Sequence, residues 1–317
     1  GVVIKSGAAF ERLGSIRHLA VDKTGTLTRN QPEVTGVVPA DGFDRTQVLS
    51  FAAAVEQQST HPLAAAIAAA GPEAPTASDI SEEAGHGIGG IVEGRRVLVG
   101  SPRWIDAGPL KEDVERMESE GQTCVLVTVD DALAGAIGVR DELRPEVPEA
   151  VQALHANDVE VSMLTGDNTR TAQALAGIAG INDVRAELRP EDKASIVAEF
   201  SSKTPTAMIG DGINDAPALA GATVGIAMGA TGSDAAIESA DVAFTGHDLR
   251  LIPKALQHAR RGSRIINQNI VLSLAIIIVL MPLAISGVLG LAAVVLVHEV
   301  AEVIVILNGL RAAQAKR

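Results

Sequence analysis

The chain has 317 residues, 47% of them apolar, with 39 acidic against 26 basic side chains and a formal charge of -13. That length and apolar content support two or three domains with sizeable cores, and the negative balance speaks against general binding to nucleic acid, whose phosphates attract the opposite charge. The single cysteine, Cys124, cannot form an internal disulfide, and its place in the apolar run Cys124-Val125-Leu126-Val127 makes it a buried strand residue rather than a ligand or nucleophile.

From the N-terminus, Gly1-Val2-Val3-Ile4 carries no cleavable secretion signal. Ile16 to Val21 reads as a short strand ending at Asp22. Between about Gln31 and Ala136 the pattern changes: helical stretches over Thr46 to Val55 and Pro62 to Ala70 precede hairpins, Ile88 to Glu93 with Arg96 to Gly100 around Gly94, and Cys124 to Val129 with Leu133 to Val139 around Asp130-Asp131. This stretch predicts an α+β domain inserted into an α/β unit that resumes near Arg140. Strands Val159 to Leu164 and Thr206 to Ile209 then end in polar, glycine-containing turns, and helices follow over Thr169 to Ile178, Glu191 to Phe200 and Ala216 to Leu219. A mostly parallel sheet fits this alternation, and functional residues of such sheets gather outside the carboxyl ends of the strands. Asp22, Thr165, Lys193 and Asp211 are therefore expected at one site.

From Ile270 to Val297 there is no charged side chain. One helix over that stretch would exceed a hydrocarbon layer about 30 Å thick, and Pro282, Ser286, Gly287 and Gly290 mark a place to reverse, giving spans of about 265–284 and 289–308. Arg260, Arg261 and Arg264 precede the first, while Arg311, Lys316 and Arg317 follow the second, so both ends and the soluble domains are expected on the cytoplasmic side of a cell membrane.

Asp22-Lys23-Thr24-Gly25-Thr26-Leu27-Thr28 is the sharpest chemical signal. A carboxylate at a strand end can attack the terminal phosphorus of ATP and hold the phosphoryl group as an acyl phosphate. Gly210-Asp211-Gly212-Ile213-Asn214-Asp215 offers hard oxygen donors for Mg²⁺, with Asp211 as ligand and Asn214 and Asp215 orienting phosphate and water. Thr165-Gly166-Asp167-Asn168 supplies a hydroxyl and backbone N–H groups for phosphate oxygens, and Lys193 can neutralise charge developing during transfer.

These motifs, DKTGTLT, TGDN and GDGINDAPAL in that order, resemble the P-type ATPases from about Lys5 to Arg311. The resemblance implies a haloacid-dehalogenase-like Rossmannoid phosphorylation domain (residues 1–32 and 138–250), an inserted α+β nucleotide-binding domain (33–137) and a transmembrane helical hairpin (251–317). It implies phosphorylation of Asp22, with Lys23, Thr24, Thr165, Gly166, Asp167 and Lys193 in the catalytic set and a magnesium site at Asp22, Thr24, Asp211, Asn214 and Asp215. Related phosphatases carry an acidic residue where Thr24 stands, and threonine cannot serve as that acid and base, so the phosphoenzyme should persist.

Glu56, His61-Pro62 and the turn Gly87-Ile88-Gly89 are similar to the nucleotide-domain signature of heavy-metal-transporting P-type ATPases, in which such residues surround adenine. His298, Glu299 and Glu302 fall within the second span; ionisable groups at that depth are costly, and imidazole with carboxylate suits Zn²⁺, Co²⁺ or Cd²⁺. His298-Glu299 followed by Asn308 and Arg311 resembles the last membrane helix of the heavy-metal subfamily, though Val300-Ala301-Glu302 departs from the small residues and threonine usual there. Asn269 and Asn308 are further candidates for hydrogen bonds or ligands. The implied function is ATP-driven export of a divalent heavy metal, with the bilayer and an N-terminal half of the pump, bearing an actuator domain and earlier membrane helices, as partners. Monovalent copper export, a membrane-tethered phosphatase and a nucleotide-binding regulatory subunit are the alternatives.

Overall fold

The computed structural model describes the chain except residues 60–61, 72, 84–85, 211–214, 230–237 and 314–317, with backbone only for Pro62 and Ala313. Among the described residues a seven-stranded sheet runs in the order β1 (Val2–Ile4), β13 (Val242–Phe244), β12 (Val224–Met228), β11 (Thr206–Gly210), β2 (His18–Asp22), β9 (Glu160–Leu164) and β10 (Asp183–Arg185). Only the β1–β13 pair is antiparallel. β2 and β11 are buried along their whole length, as near-continuous apolar runs in the middle of a parallel sheet require. The register Asp22↔Leu164 and Val21↔Ile209 brings the ends of β2, β9 and β11 level, so the turns that follow them meet at one edge.

Helices α1 (Gly7–Ser15), α5 (Val147–His155), α6 (Thr169–Ala179), α7 (Pro190–Lys203) and α8 (Ala216–Gly221) cover this sheet. Their starts are written locally. Asn168 caps α6, its Oδ1 accepting from Thr171 N at 2.9 Å, and Pro190 opens α7 while Asp192 Oδ2 accepts from Arg189 N at 2.9 Å.

The inserted unit is an antiparallel six-stranded sheet ordered β3 (Thr28–Pro39), β8 (Ala132–Leu143), β7 (Thr123–Val129), β6 (Arg95–Gly100), β5 (Gly87–Val92) and β4 (Ala77–Glu83). One face packs on α2 (Arg45–Glu56) and α3 (Pro62–Ala70) through Val48, Phe51, Val55 and Ile67; the other packs on α4 (Lys111–Ser119) through Val114 and Met117. A capping box starts α2, with Gln47 N donating to Asp44 Oδ1 at 2.8 Å and Asp44 N to Gln47 Oε1 at 2.9 Å. Cys124 lies buried under α4, and burial, with Glu118 nearby, pushes its thiol up to about 12. β8 is longer than the predicted Leu133 to Val139, and β3, where no strand was predicted, pairs with it from Pro39↔Gly135 down to Thr28↔Leu143, a ribbon with two register shifts that reaches the turn after Asp22.

α9 (Leu251–Ile285) begins well before the apolar span. Its first half is amphipathic, burying Ile252, Leu256 and Ala259 on the seven-stranded unit, which is why the membrane pattern alone did not reveal it. Pro282 does not reverse the chain. It lies within α9, and the reversal comes at Ser286–Gly290, where Gly287 adopts φ 74°. α10 (Leu291–Ala313) then packs back on α9, with Asn308 Nδ2 donating to Asn269 Oδ1 at 2.8 Å and Asn269 Nδ2 to Val305 O at 3.2 Å. Both helices are long and apolar enough to cross a membrane, and most of their large apolar side chains are exposed.

Candidate active site

Asp22 closes β2 at the sheet edge and is 5% exposed. Lys193, in the first turn of α7, donates from Nζ to Asp22 Oδ1 and, at 3.2 Å, to Asp215 Oδ1. Asp215 is itself buried, directly before α8. Burial opposes the charge on Lys193, but the two carboxylates outweigh it and raise its pKa above the ordinary lysine value. Gly210, at the end of β11, permits this convergence: a Cβ there would stand 2.6 Å from Asp215 Oδ2.

Around this centre, Lys23 Nζ donates to Asp167 Oδ2 at 2.6 Å, tying the turn after β2 to the loop after β9. Thr165 is buried; its N–H donates to Arg185 O at 2.9 Å and its Oγ accepts from Asp167 N at 3.1 Å, which leaves the Gly166 N–H without a hydrogen bond among the described residues. The Asn168 N–H is likewise without one among the described residues, so the loop offers an anion both donors. Two carboxylates meeting at one buried point, with a cation already between them, form the hard-oxygen donor set that Mg²⁺ takes. Asp22 and Asp215 therefore fit the ion. Asp211 and Asn214 lie outside the described residues, as does His61.

A cleft of about 1170 Å³ joins this centre to the inserted unit, with Asp22, Thr24, Gly166, Lys193 and Asp215 on one wall and Glu56, Gly87 and Ile88 on the other. Glu56, the last residue of α2, is raised to about 7 by burial and by repulsion from Glu82. Gly87, at φ 153°, lies so close to β6 that a Cβ would stand 2.1 Å from Val99 O. Gly89, farther along β5, does not line the cleft; its absent Cβ would meet Leu98 Cδ2 at 2.4 Å, so close packing within the sheet accounts for it. Pro62 opens α3.

Two residues with no sequence signal hold the turn after Asp22. Arg144 Nε and Nη2 donate to Thr26 O and Gly25 O, both at 3.1 Å, and the Asp141 carboxylate accepts from the Thr28 hydroxyl and, at 3.1 Å, from Gln31 N. Asp141 lies near the end of β8 and Arg144 directly follows it, and both reach the turn because the β3–β8 ribbon returns there. A third, Glu118 of α4, accepts from Asn168 Nδ2 at 3.0 Å and from Arg170 Nη1 at 3.2 Å, docking the inserted unit on α6.

His298, Glu299 and Glu302 are all exposed on α10, whose contact with α9 runs instead along Ala301, Val305 and Asn308. No group of three or more His, Cys, Asp or Glu side chains able to hold a metal forms among the described residues. Asn269 and Asn308 bond one another across the hairpin.

A buried aspartate at the end of a central parallel strand, a lysine from a later helix and a second aspartate after the neighbouring strand form an α/β site with the charges and donors that phosphoryl chemistry needs. Residues 16–223 match the haloacid dehalogenase-like hydrolases, and the chain belongs to that family. It is 58% identical over 316 residues to "Probable cation-transporting ATPase G" of Mycobacterium tuberculosis (strain ATCC 25618 / H37Rv), an alignment covering 100% of this chain and 41% of that protein. It is 42% identical over 315 residues to a zinc/cadmium/lead-transporting P-type ATPase of Escherichia coli (strain K12), covering 98% and 43%. A crystal structure of a zinc-transporting PIB-type ATPase in an E2.Pi state superposes with a TM-score of 0.74 at 41% identity, over 99% of this chain and 52% of that one. The chain thus spans less than half the length of these two curated relatives, of which the second is named as a P-type ATPase, the family that the motifs resemble.

Proposed function

We propose that this chain is the catalytic portion of an ATP-driven pump that exports a divalent heavy-metal cation through an aspartyl-phosphate on Asp22. The observation that carries the reading is the single cleft joining the Asp22–Lys193–Asp215 centre to Glu56 and Gly87. The inserted unit holds the base of ATP, and the cleft directs the triphosphate toward Asp22. A carboxylate oxygen of Asp22 forms a bond to the terminal phosphorus as the bond from that phosphorus to the bridging oxygen breaks, and ADP leaves with the bridging electrons. Lys193 balances the negative charge on the transferring group, while the Gly166 N–H supplies a donor. Asp22 and Asp215, with Thr24, Asp211 and Asn214, would hold Mg²⁺, which would supply electrostatic neutralisation of the phosphates.

Thr24 has no acid–base chemistry with which to activate water, so the acyl phosphate persists until a further domain discharges it. The metal reading draws on the names of the relatives and on His298, Glu299 and Glu302, which are exposed on α10 and available to other membrane helices of a longer protein. In the experiment that tests the chemistry, Mg-ATP labels Asp22 and Asp22→Asn abolishes labelling without changing the circular dichroism spectrum. Label mapped by mass spectrometry to another residue overturns it. Vesicle uptake by the full-length pump over zinc, cobalt, cadmium and monovalent copper, with His298→Ala and Glu299→Ala alongside, tests the cargo; uptake of copper alone overturns the divalent reading and leaves the phosphorylation chemistry standing.

A further inference from the structure

A second concavity, of about 760 Å³, lies where α9 leaves the seven-stranded unit. Its two ends differ in chemistry. Toward the domain it is lined by Arg17, Arg260 and Arg264, with no acidic side chain among the described residues that line it. Arg260 is anchored, Nη1 donating to Asn157 O at 2.6 Å and Nη2 to Ile16 O at 2.7 Å, whereas Arg17 and Arg264 form no ion pair among the described residues. Arg260 Nε and Ser263 Oγ are buried and lack any hydrogen-bond partner. Away from the domain the lining becomes Val271, Leu272 and Ala275, consecutive turns of the membrane-length part of α9.

Unpaired guanidinium groups crowded at one place repel one another, and an anion between them relieves that repulsion. A free phosphate would satisfy the cations and leave the apolar wall in water. An amphipathic anion satisfies both ends. We propose that this groove binds an anionic phospholipid from the leaflet on the domain side, its phosphodiester between Arg17 and Arg264 and an acyl chain along Val271, Leu272 and Ala275. The inference rests on the membrane reading of the hairpin and assigns a ligand that neither phosphorylation nor metal transport requires. Because Arg17 directly precedes β2 and Arg264 lies on α9, a lipid held between them also ties the catalytic unit to the membrane surface.

The test reconstitutes the 317-residue chain in phosphatidylcholine vesicles with and without phosphatidylglycerol and counts retained lipids by native mass spectrometry. The unmodified chain is expected to retain one phosphatidylglycerol in preference to phosphatidylcholine. Arg17→Gln with Arg264→Gln is expected to lower that retention about tenfold, while the charge-matched pair Lys254→Gln with Arg261→Gln, outside the groove, leaves it within about twofold. Ala275→Trp, which fills the apolar end, is expected to lower retention of long-chain but not short-chain phosphatidylglycerol. Equal losses in the two charge-matched pairs would mean diffuse attraction and overturn the proposal, as would complete displacement of the lipid by millimolar inorganic phosphate. Insertion without preference for the anionic lipid overturns this inference alone; failure to insert into either vesicle overturns the membrane reading with it.

Discussion

Glu56 is 8% exposed, and burial with the repulsion of Glu82 lifts its pKa from 4.5 to about 7. The folded chain therefore keeps a proton that the unfolded chain releases from about pH 4.5, so this group lowers folding stability progressively as pH rises to about 7. The full gap corresponds to at most about 3 kcal/mol. Glu56→Gln keeps the shape and removes the titration. Hydrogen exchange of the α2 amides at pH 5 and pH 8, corrected for intrinsic rates, should show opening free energy falling with pH in the unmodified chain and staying level in the variant; a level profile in both would contradict the assignment. Glu56 was expected near the nucleotide from its place before His61-Pro62, but its raised pKa was not legible, because Glu82 comes from β4 and meets it only across the folded domain.

Among the elements, α9 has the largest consequence for coupling, since one continuous helix carries both the contact with the catalytic unit and the first apolar span. It lies against α1 at glycine: a Cβ on Gly14 would stand 2.9 Å from Ser263 Oγ and 3.1 Å from Ala259 O. Gly14→Val must push the helices apart, and overpacking of this kind costs about 1–3 kcal/mol. The expected outcome is a lowered melting temperature with Asp22 still labelled by Mg-ATP, and, in the full-length pump, a larger loss of transport than of ATP binding. An unchanged melting temperature would show that the contact yields without cost. The apolar half of this helix could be read from composition. Its amphipathic half could not be joined to it, because a change of face from domain to lipid breaks any single periodicity.

For the molecule as a whole, the two catalytic walls are set against each other by α4 on α6. Glu118 is buried and shared between Asn168 and Arg170; Arg170 Nη2 also donates to Glu115 Oε1 at 3.2 Å, and Thr171 Oγ donates to Gln122 O at 2.8 Å. Glu118→Arg places like charge against Arg170 and is expected to slow labelling of Asp22 at low ATP by about tenfold, through loss of charge-assisted bonds worth roughly 1.5–3 kcal/mol. Adding Arg170→Glu should restore most of the rate. Small-angle scattering should show a larger radius of gyration for the single variant and recovery in the pair. Loss without recovery would mean that Glu118 acts only within its own domain.

The motif residues, the strand ends that carry Asp22 and Thr165, the insertion and the apolar hairpin are all determined by sequence alone, because each depends on side chains adjacent along the chain or on a short repeat. Tertiary structure decided which of them meet. Lys193 could be named as a cation for the phosphate, but its position between Asp22 and Asp215 follows from the level ends of β2 and β11 and the direction of α7. Arg144, Asp141 and Glu118 were illegible for the same reason in reverse: an arginine or carboxylate at a strand or helix end is ordinarily a solvated charge. Only the ribbon that returns β8 beside β3, and the docking of α4 on α6, bring these three to partners distant in sequence.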